Sequence, residues 1–514
     1  MKYPIGVQDF EKLRGGGFVY VDKTKFIHDL VANGNSYFLS RPRRFGKSLL
    51  VSTLEAYFLG KKELFEGLAI ERLETEWAVY PVFHLDLNTG RYDSVQALHD
   101  EFHRHLEKWE AEYGDQFKDR KPSERFLQVI ELAYRKTGRQ AVVLVDEYDK
   151  PLVSTFDNPQ LQDELRAELK SFYSVLKTQD RYVRFALLTG VTKFGKVSVF
   201  SDLNNLNDIS MDKRYAAICG ITEEELHAYF DESIRNLAQT NGMTFDEACQ
   251  KLKDKYDGYH FCYGCKGIYN PFSLLNALSK TEIGDWWFET GTPTFLVQLL
   301  KKSDYDLNQL QHGEILSSEL YRVNNVEGNP IPMIYQSGYL TIKGYDKEFE
   351  TYTLGFPNNE VERGFIKFLI PQYVNSKSGS SALTVTRFVK DVESGDAEGF
   401  MTRLQTFFED ADYRIAGKKE IYFQNVMFVI FKMMGFYTEV ERTTARGRID
   451  VVIRTSKYIY IIECKLDGSA DEALAQIEAK GYAKPYALDE RKLFKIGVNF
   501  SSKIRGVAEW KIVE

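Results

Sequence analysis

Cysteine is scarce in this chain: five residues among 514, at positions 219, 249, 262, 265 and 464. That is too few and too scattered for a disulfide framework to organise the fold. Long apolar runs are missing too. No stretch approaches the roughly 18 residues of a membrane helix, and Met1-Lys2-Tyr3-Pro4 opens into charged sequence without the apolar segment of a signal peptide. A cytoplasmic protein with no membrane partner is expected. Pro-rich tracts, Gly/Ser-rich tracts and internal repeats are also absent, which excludes fibrous and solenoid architectures. There is no basic surplus either, since 67 Lys+Arg against 74 Asp+Glu give a net charge of −7. The sum hides an asymmetry. Residues 411 to 514 hold 18 Lys+Arg against 14 Asp+Glu, an excess of +4 that leaves −11 for the remainder. A polyanion would therefore meet the C-terminal part, although an ordinary solvated surface accounts for so small an excess nearly as well.

What is present describes a globular protein: 43% hydrophobic and 27% charged residues in a chain long enough for two to four cores. Its most informative stretch is Ser40-Arg41-Pro42-Arg43-Arg44-Phe45-Gly46-Lys47-Ser48-Leu49-Leu50. Gly-Lys-Ser between an apolar strand (Tyr37-Phe38-Leu39) and a helix beginning at Leu49 is the pattern of a phosphate-binding P-loop, in which backbone N–H groups face the phosphates. Lys47 is expected to reach the β- and γ-phosphates of ATP and Ser48 to hold Mg²⁺. Arg43, Arg44, Gly46 and Leu49 complete the expected nucleotide-binding set. Arg41 stands where the usual pattern has its first Gly, so a basic turn before a helix is the alternative until a second element joins the first.

That element is Ala141-Val142-Val143-Leu144-Val145-Asp146-Glu147. A short, Val-rich apolar run fits a strand buried on both faces of a parallel sheet, with its carboxylates at the C-terminal edge where ligands bind. Asp146 is expected to hold Mg²⁺ and Glu147 to polarise the attacking water. A further strand, Val183-Arg184-Phe185-Ala186-Leu187-Leu188-Thr189-Gly190, carries Thr189 at its tip as a γ-phosphate sensor. Lys193, Lys196, Asn204 and Asn205 follow on a loop that could border it.

Elsewhere, Gly15-Gly16-Gly17-Phe18-Val19-Tyr20-Val21 reads as a turn and short strand, with Thr24 capping the next helix. Residues 95–113 and 158–178 read as helices. His99 and His103 are one turn apart, but without a third ligand a solvated helix face is the simpler reading. Thr222-Glu223-Glu224-Glu225 is a capping box opening a helical region. Cys262-Tyr263-Gly264-Cys265 has metal-knuckle spacing but reads as a tight turn, and Trp286-Trp287-Phe288 reads as packing.

Near the C-terminus two strand-like runs, Arg448–Ile453 and Tyr458–Lys465, flank Arg454-Thr455-Ser456-Lys457. A hairpin centred between Ser456 and Lys457 sets Asp450 opposite Glu463, and Lys465 shares a face with Glu463. Like charges directly opposite destabilise a hairpin, so the pair asks for a metal, a lysine, or both. Mg²⁺ on Asp450, Glu463 and the Cys464 carbonyl, with Lys465 stabilising developing charge, is phosphodiester-cleavage chemistry. A surface hairpin whose Lys465 simply pairs with the acids is the alternative.

The P-loop stretch, Val191-Thr192-Lys193-Phe194-Gly195-Lys196-Val197-Ser198, Leu203-Asn204-Asn205-Leu206-Asn207-Asp208-Ile209-Ser210, Tyr215-Ala216-Ala217-Ile218-Cys219-Gly220 and Tyr256-Asp257-Gly258-Tyr259 together resemble bacterial AAA-ATPase-like proteins with a C-terminal PD-(D/E)XK nuclease-type domain. The resemblance runs over nearly the whole chain. It implies an α/β fold: a P-loop NTPase with a parallel sheet (1–220), a helical lid (221–345), a connecting region (346–404) and a restriction-endonuclease-like α/β domain (405–514). Glu420, one turn before Gln424 on a helix, then becomes the candidate acid of the nuclease first motif. Gln476 and Lys480 on a later helix could meet the site. The expected function is an ATP-hydrolysing protein coupled to a Mg²⁺-dependent nuclease acting on DNA, with RNA an alternative substrate and self-association open. The competing reading is a nucleotide-driven binding switch that grips nucleic acid or protein without cutting.

Overall fold

The computed structural model describes the chain except residues 116–118, 194–198, 201–204, 289–295, 297–298, 301–302, 304, 311–312, 321–328, 374–380, 410–418, 436–438, 446–447 and 505. The side chains of 308, 370–373, 381–385, 409, 419–424, 439, 441–445 and 448–450 also lie outside the description. Two compact units result, Met1–Gly291 with Gly313–Glu360, and Thr292–His312 with Val361–Glu514.

The first unit is built on a parallel sheet of β1 (Ser36–Ser40), β2 (Val82–Asp86), β3 (Ala141–Asp146), β4 (Val183–Gly190) and β5 (Asn207–Asp208), in the order β2-β3-β4-β1-β5. The residues of β1 and β3 are all buried, as a strand covered by helices on both faces requires. Because β4 lies between β1 and β3, the ends of all three strands meet at one edge. Register pairs Leu39 with Thr189 and Val145 with Leu188, so the P-loop, Thr189 and Asp146 leave the sheet side by side.

Helices Glu223–Thr240, Phe245–Tyr256 and Pro271–Lys280 pack around Phe230, Ile234, Leu252, Tyr256 and Leu274. Thr222 and Glu225 form the reciprocal capping box. An antiparallel sheet of β6 (Glu314–Leu316), β7 (Thr341–Asp346) and β8 (Thr351–Gly355), in the order β6-β8-β7, completes this unit. Cys262 and Cys265 face each other across a turn closed by Gly264 at φ +71°.

Several local expectations differ from the structure. Val19 donates its N–H to the Lys2 carbonyl, and residues 18–21 form no strand. The next helix is Thr24–Asn33, and the side chain that takes the Thr24 N–H belongs to Asp22. The long helix at 158–178 is two, Pro159–Tyr173 and Val175–Thr178, separated at Ser174.

The second unit carries a mixed sheet of β9 (Glu439–Ala445), β10 (Arg448–Arg454), β11 (Tyr458–Leu466), β12 (Lys492–Ser501) and β13 (Gly506–Val513), in the order β13-β12-β11-β10-β9. Only β11 and β12 run parallel, and helix Ala470–Lys480 makes that crossover. Helices Ser381–Ser394, Ala397–Glu409 and Lys419–Met434 belong to the same unit. Among the described residues no helix is long and apolar enough to cross a membrane.

Candidate functional sites

The P-loop turns on two left-handed residues. Gly46, at φ +94°, precedes helix Lys47–Phe58, and Arg44 holds φ +66° without being glycine. Arg41 explains the departure from the usual glycine. Its guanidinium is buried and donates to the carbonyls of Ser40, Ser210 and Tyr215, with the Phe261 ring 4.0 Å away. The side chain thereby fastens the start of the loop to the segment after β5.

Lys47 is 3% exposed, and its ammonium lies 3.2 Å from Glu147 and 3.4 Å from the Pro42 carbonyl oxygen. Burial opposes its charge, but the carboxylates of Glu147, Asp146 and Asp149 outweigh burial and hold its pKa above the ordinary value. Asp146 accepts from the Thr189 hydroxyl at 2.5 Å and from the Glu147 N–H. Glu147 itself sits at φ +53°. Asp149, missed in the sequence, accepts the N–H groups of Val191 and Thr192 and the Thr192 hydroxyl. Burial, aided by Glu147, pushes its pKa up to about 6. It ties the acidic segment to the loop that leaves Thr189.

Lys47 and Glu147 open onto a cavity of about 360 Å³, while Asp146, Asp149 and Thr189 are buried behind them and do not line it. Arg43, Arg44, Gly46, Lys47, Ser48, Leu49 and Glu147 line it, together with Asn88, Lys150, Phe272, Trp287 and the N-terminal segment 4–8. Lys193 points elsewhere, paired with Asp208 at 3.0 Å, while Lys196 and Asn204 lie outside the described residues. Trp287, read from sequence as packing, also borders the cavity. Contacts between segments hundreds of residues apart assemble this wall, and no local spacing announces it. His99 and His103 turn to separate partners, Glu168 and Arg125.

In the second unit the register pairs Asp450 with Glu463 and Ile449 with Cys464. Glu463 is fully buried, with the Lys465 ammonium 2.8 Å from its carboxylate. Lys465 also donates to the Gln476 side chain, and Lys480 is exposed. Gly497, opposite Glu463 on β12, makes this possible: a Cβ there would stand 2.3 Å from the Ala470 carbonyl oxygen, so only glycine lets helix Ala470–Lys480 press onto the sheet. Glu420 opens helix Lys419–Met434. The side chains of Glu420 and Asp450 lie outside the described residues.

Both donor sets suit hard ligands. Serine, carboxylate and carbonyl oxygens are the donors that Mg²⁺ takes, and a glycine turn beside a buried lysine suits phosphate.

A P-loop nucleotide fold and a nuclease-type mixed sheet on one chain define the class. Residues 4–200 match the model described as predicted AAA-ATPase, and residues 418–510 match the PD-(D/E)XK nuclease superfamily. Over 521 aligned residues the chain is 36% identical to an uncharacterized protein in the vnfD 5' region of Azotobacter chroococcum mcd 1, covering 98% of both. The chain belongs to the AAA-ATPase-like family that carries a C-terminal PD-(D/E)XK nuclease-superfamily domain. The ORC2 protein of Aeropyrum pernix, solved in ADPNP-ADP complexes, aligns over 68% of this chain and 91% of its own at 11% identity. Its TM-score of 0.25 is too low to carry an argument.

Proposed function

We propose that the chain hydrolyses ATP at the P-loop and uses this to control Mg²⁺-dependent cleavage of DNA by the C-terminal sheet. The observation that carries the first half is the meeting of Lys47, Ser48, Asp146, Glu147 and Thr189 at one sheet edge, beside a cavity of nucleotide size. Lys47 neutralises the β- and γ-phosphates, and Glu147, released from Lys47 by the phosphate, orients water. Thr189 holds the Asp146 carboxylate in place. Ser48 and Asp146 would hold Mg²⁺, which would supply neutralising charge at the phosphates.

The second half rests on Glu463, Lys465 and the register position of Asp450. Glu463 and Asp450, with the Cys464 carbonyl, would hold a divalent cation, and Lys465 would stabilise charge building on a phosphate. Gln476 fixes the lysine, and Glu420 is the proposed further acid. Membership of a nuclease superfamily and the basic excess of the last hundred residues favour a nucleic-acid partner.

Asp450→Asn, Glu463→Gln and Lys465→Ala are each expected to abolish Mg²⁺- or Mn²⁺-dependent cleavage of linear, nicked, branched or single-stranded DNA while ATP turnover persists. If the parent cuts none of these, with or without ATP, the C-terminal domain is a binding module and the switch reading replaces this one. If the variants cut as the parent does, the active site lies elsewhere.

A further inference from the structure

Glu360, the second residue of helix Asn359–Tyr373, is fully buried and does not line the P-loop cavity. One of its carboxylate oxygens accepts the backbone N–H groups of Trp286 and Trp287, the latter at 2.8 Å. The other accepts the Ser273 hydroxyl at 2.7 Å. Two of these contacts lead on to the P-loop. Trp287 donates its indole N–H to the Arg43 carbonyl at 3.0 Å. Ser273 adjoins Phe272, whose ring lies 4.7 Å from the Arg44 guanidinium. Both aromatic residues share the cavity wall with Lys47 and Ser48.

The loop needs such support. Arg44 lies in the left-handed region, which a non-glycine residue occupies at a cost unless its surroundings hold it. Burying a carboxylate is also costly, and an apolar side chain would fill the same volume without that penalty. What the carboxylate adds is direction: three donors from two chain segments are aimed by a single group. The turn bearing Trp286 and Trp287 is fastened further by the Lys255–Asp285 ion pair and by the Tyr256 hydroxyl on the Gly284 carbonyl.

We propose that Glu360 is a positioning residue of the nucleotide site, setting Arg43 and Arg44 for phosphate binding through Trp287 and Phe272. This rests on the P-loop reading of the preceding section. A role in general stability alone would lower the melting temperature without a coupled effect on nucleotide affinity.

The test uses the full chain, ATP with Mg²⁺, calorimetric titration, and melting without nucleotide. Glu360→Ala is expected to raise the Kd for ATP about tenfold or more, and Glu360→Gln, which keeps an acceptor for the two N–H groups, to stay within about threefold of the parent. Trp287→Phe keeps the ring, loses the donor, and is expected to raise Kd several-fold. In the Trp287→Phe background Glu360→Ala should have a smaller effect than in the parent, because both changes break one path. Fold-changes that simply multiply would overturn the proposal, as would parental affinity in Glu360→Ala. Should Glu360→Ala fail to fold, parental affinity in both Trp287→Phe and Phe272→Leu overturns it instead. A folded parent that binds no ATP removes the P-loop reading and this inference together, whereas a binding parent with indifferent variants removes only this inference.

Discussion

Lys47 and Glu147 are each other's nearest counter-charge, and a phosphate must compete with Glu147 for the ammonium. Lys47→Ala should weaken ATP binding by about 10- to 100-fold, the worth of a charge-assisted contact, as read by titration calorimetry. Glu147→Gln should bind at least as tightly as the parent, having lost the competing charge, while kcat falls by about 10²- to 10⁴-fold. Unchanged turnover in both variants would refute the assignment. Glu360 gives a pH prediction. Burial raises its pKa from the ordinary carboxylate value to about 7, against the hydrogen bonds from Ser273, Trp287 and Trp286 and the weaker pull of Lys255. The folded chain therefore keeps a proton that the unfolded chain has released between pH ~4.5 and ~7. The stabilisation from this group is whole at the acid end of that window and lost as pH rises through it. Relative to Glu360→Gln, the parent should melt progressively earlier from pH ~4.5 to ~7, with a constant difference above. Gly46-Lys47-Ser48 and Asp146-Glu147 were legible in the sequence because their chemistry needs only neighbours. The contact between Arg43 and Trp287, 244 residues apart, gave no such signal, and Asp149, beyond the end of β3, acts on the loop that follows β4.

Among elements, the hairpin of β10 and β11 was readable to the residue, since a count outward from a short turn sets every cross-strand pair. The strand expected at Val19–Val21 illustrates the converse: an apolar run becomes a strand only where a partner offers its edge, and here the Val19 N–H bond to the Lys2 carbonyl does not extend into a ladder. The fit of helix Ala470–Lys480 over Gly497 was not legible, because nothing local says that another backbone must pass within 3 Å of the position a Cβ would take. Gly497→Ala should cost about 1–3 kcal/mol, the usual range for overpacking. It should appear as a lower urea midpoint with an unchanged slope. Under the proposed function DNA cleavage should fall with it, since displacing the helix withdraws Gln476 from Lys465.

At the scale of the whole molecule, the assignment of P-loop and nuclease-type portions was open to reading because each has its own local signature. The three-stranded sheet of β6, β7 and β8 was not, because Glu314–Leu316 is too short to show an alternating pattern and pairs with a strand far along the chain. The second unit is assembled from two stretches of chain, Thr292–His312 and Val361–Glu514. Asn425, 2% exposed, accepts the Leu307 N–H and donates to the Tyr305 carbonyl, each at 2.9 Å, so the earlier stretch satisfies a polar group on a helix of the later one. A fragment of residues 361–514 should therefore be poorly soluble, or melt well below the corresponding transition of the full chain by calorimetry, with that amide stripped of its partners. Transplantation of the unit is constrained by the same arrangement. A single cut before residue 361 would leave behind the stretch that supplies those partners, so a faithful transfer must carry two segments of sequence, 292–312 and 361–514.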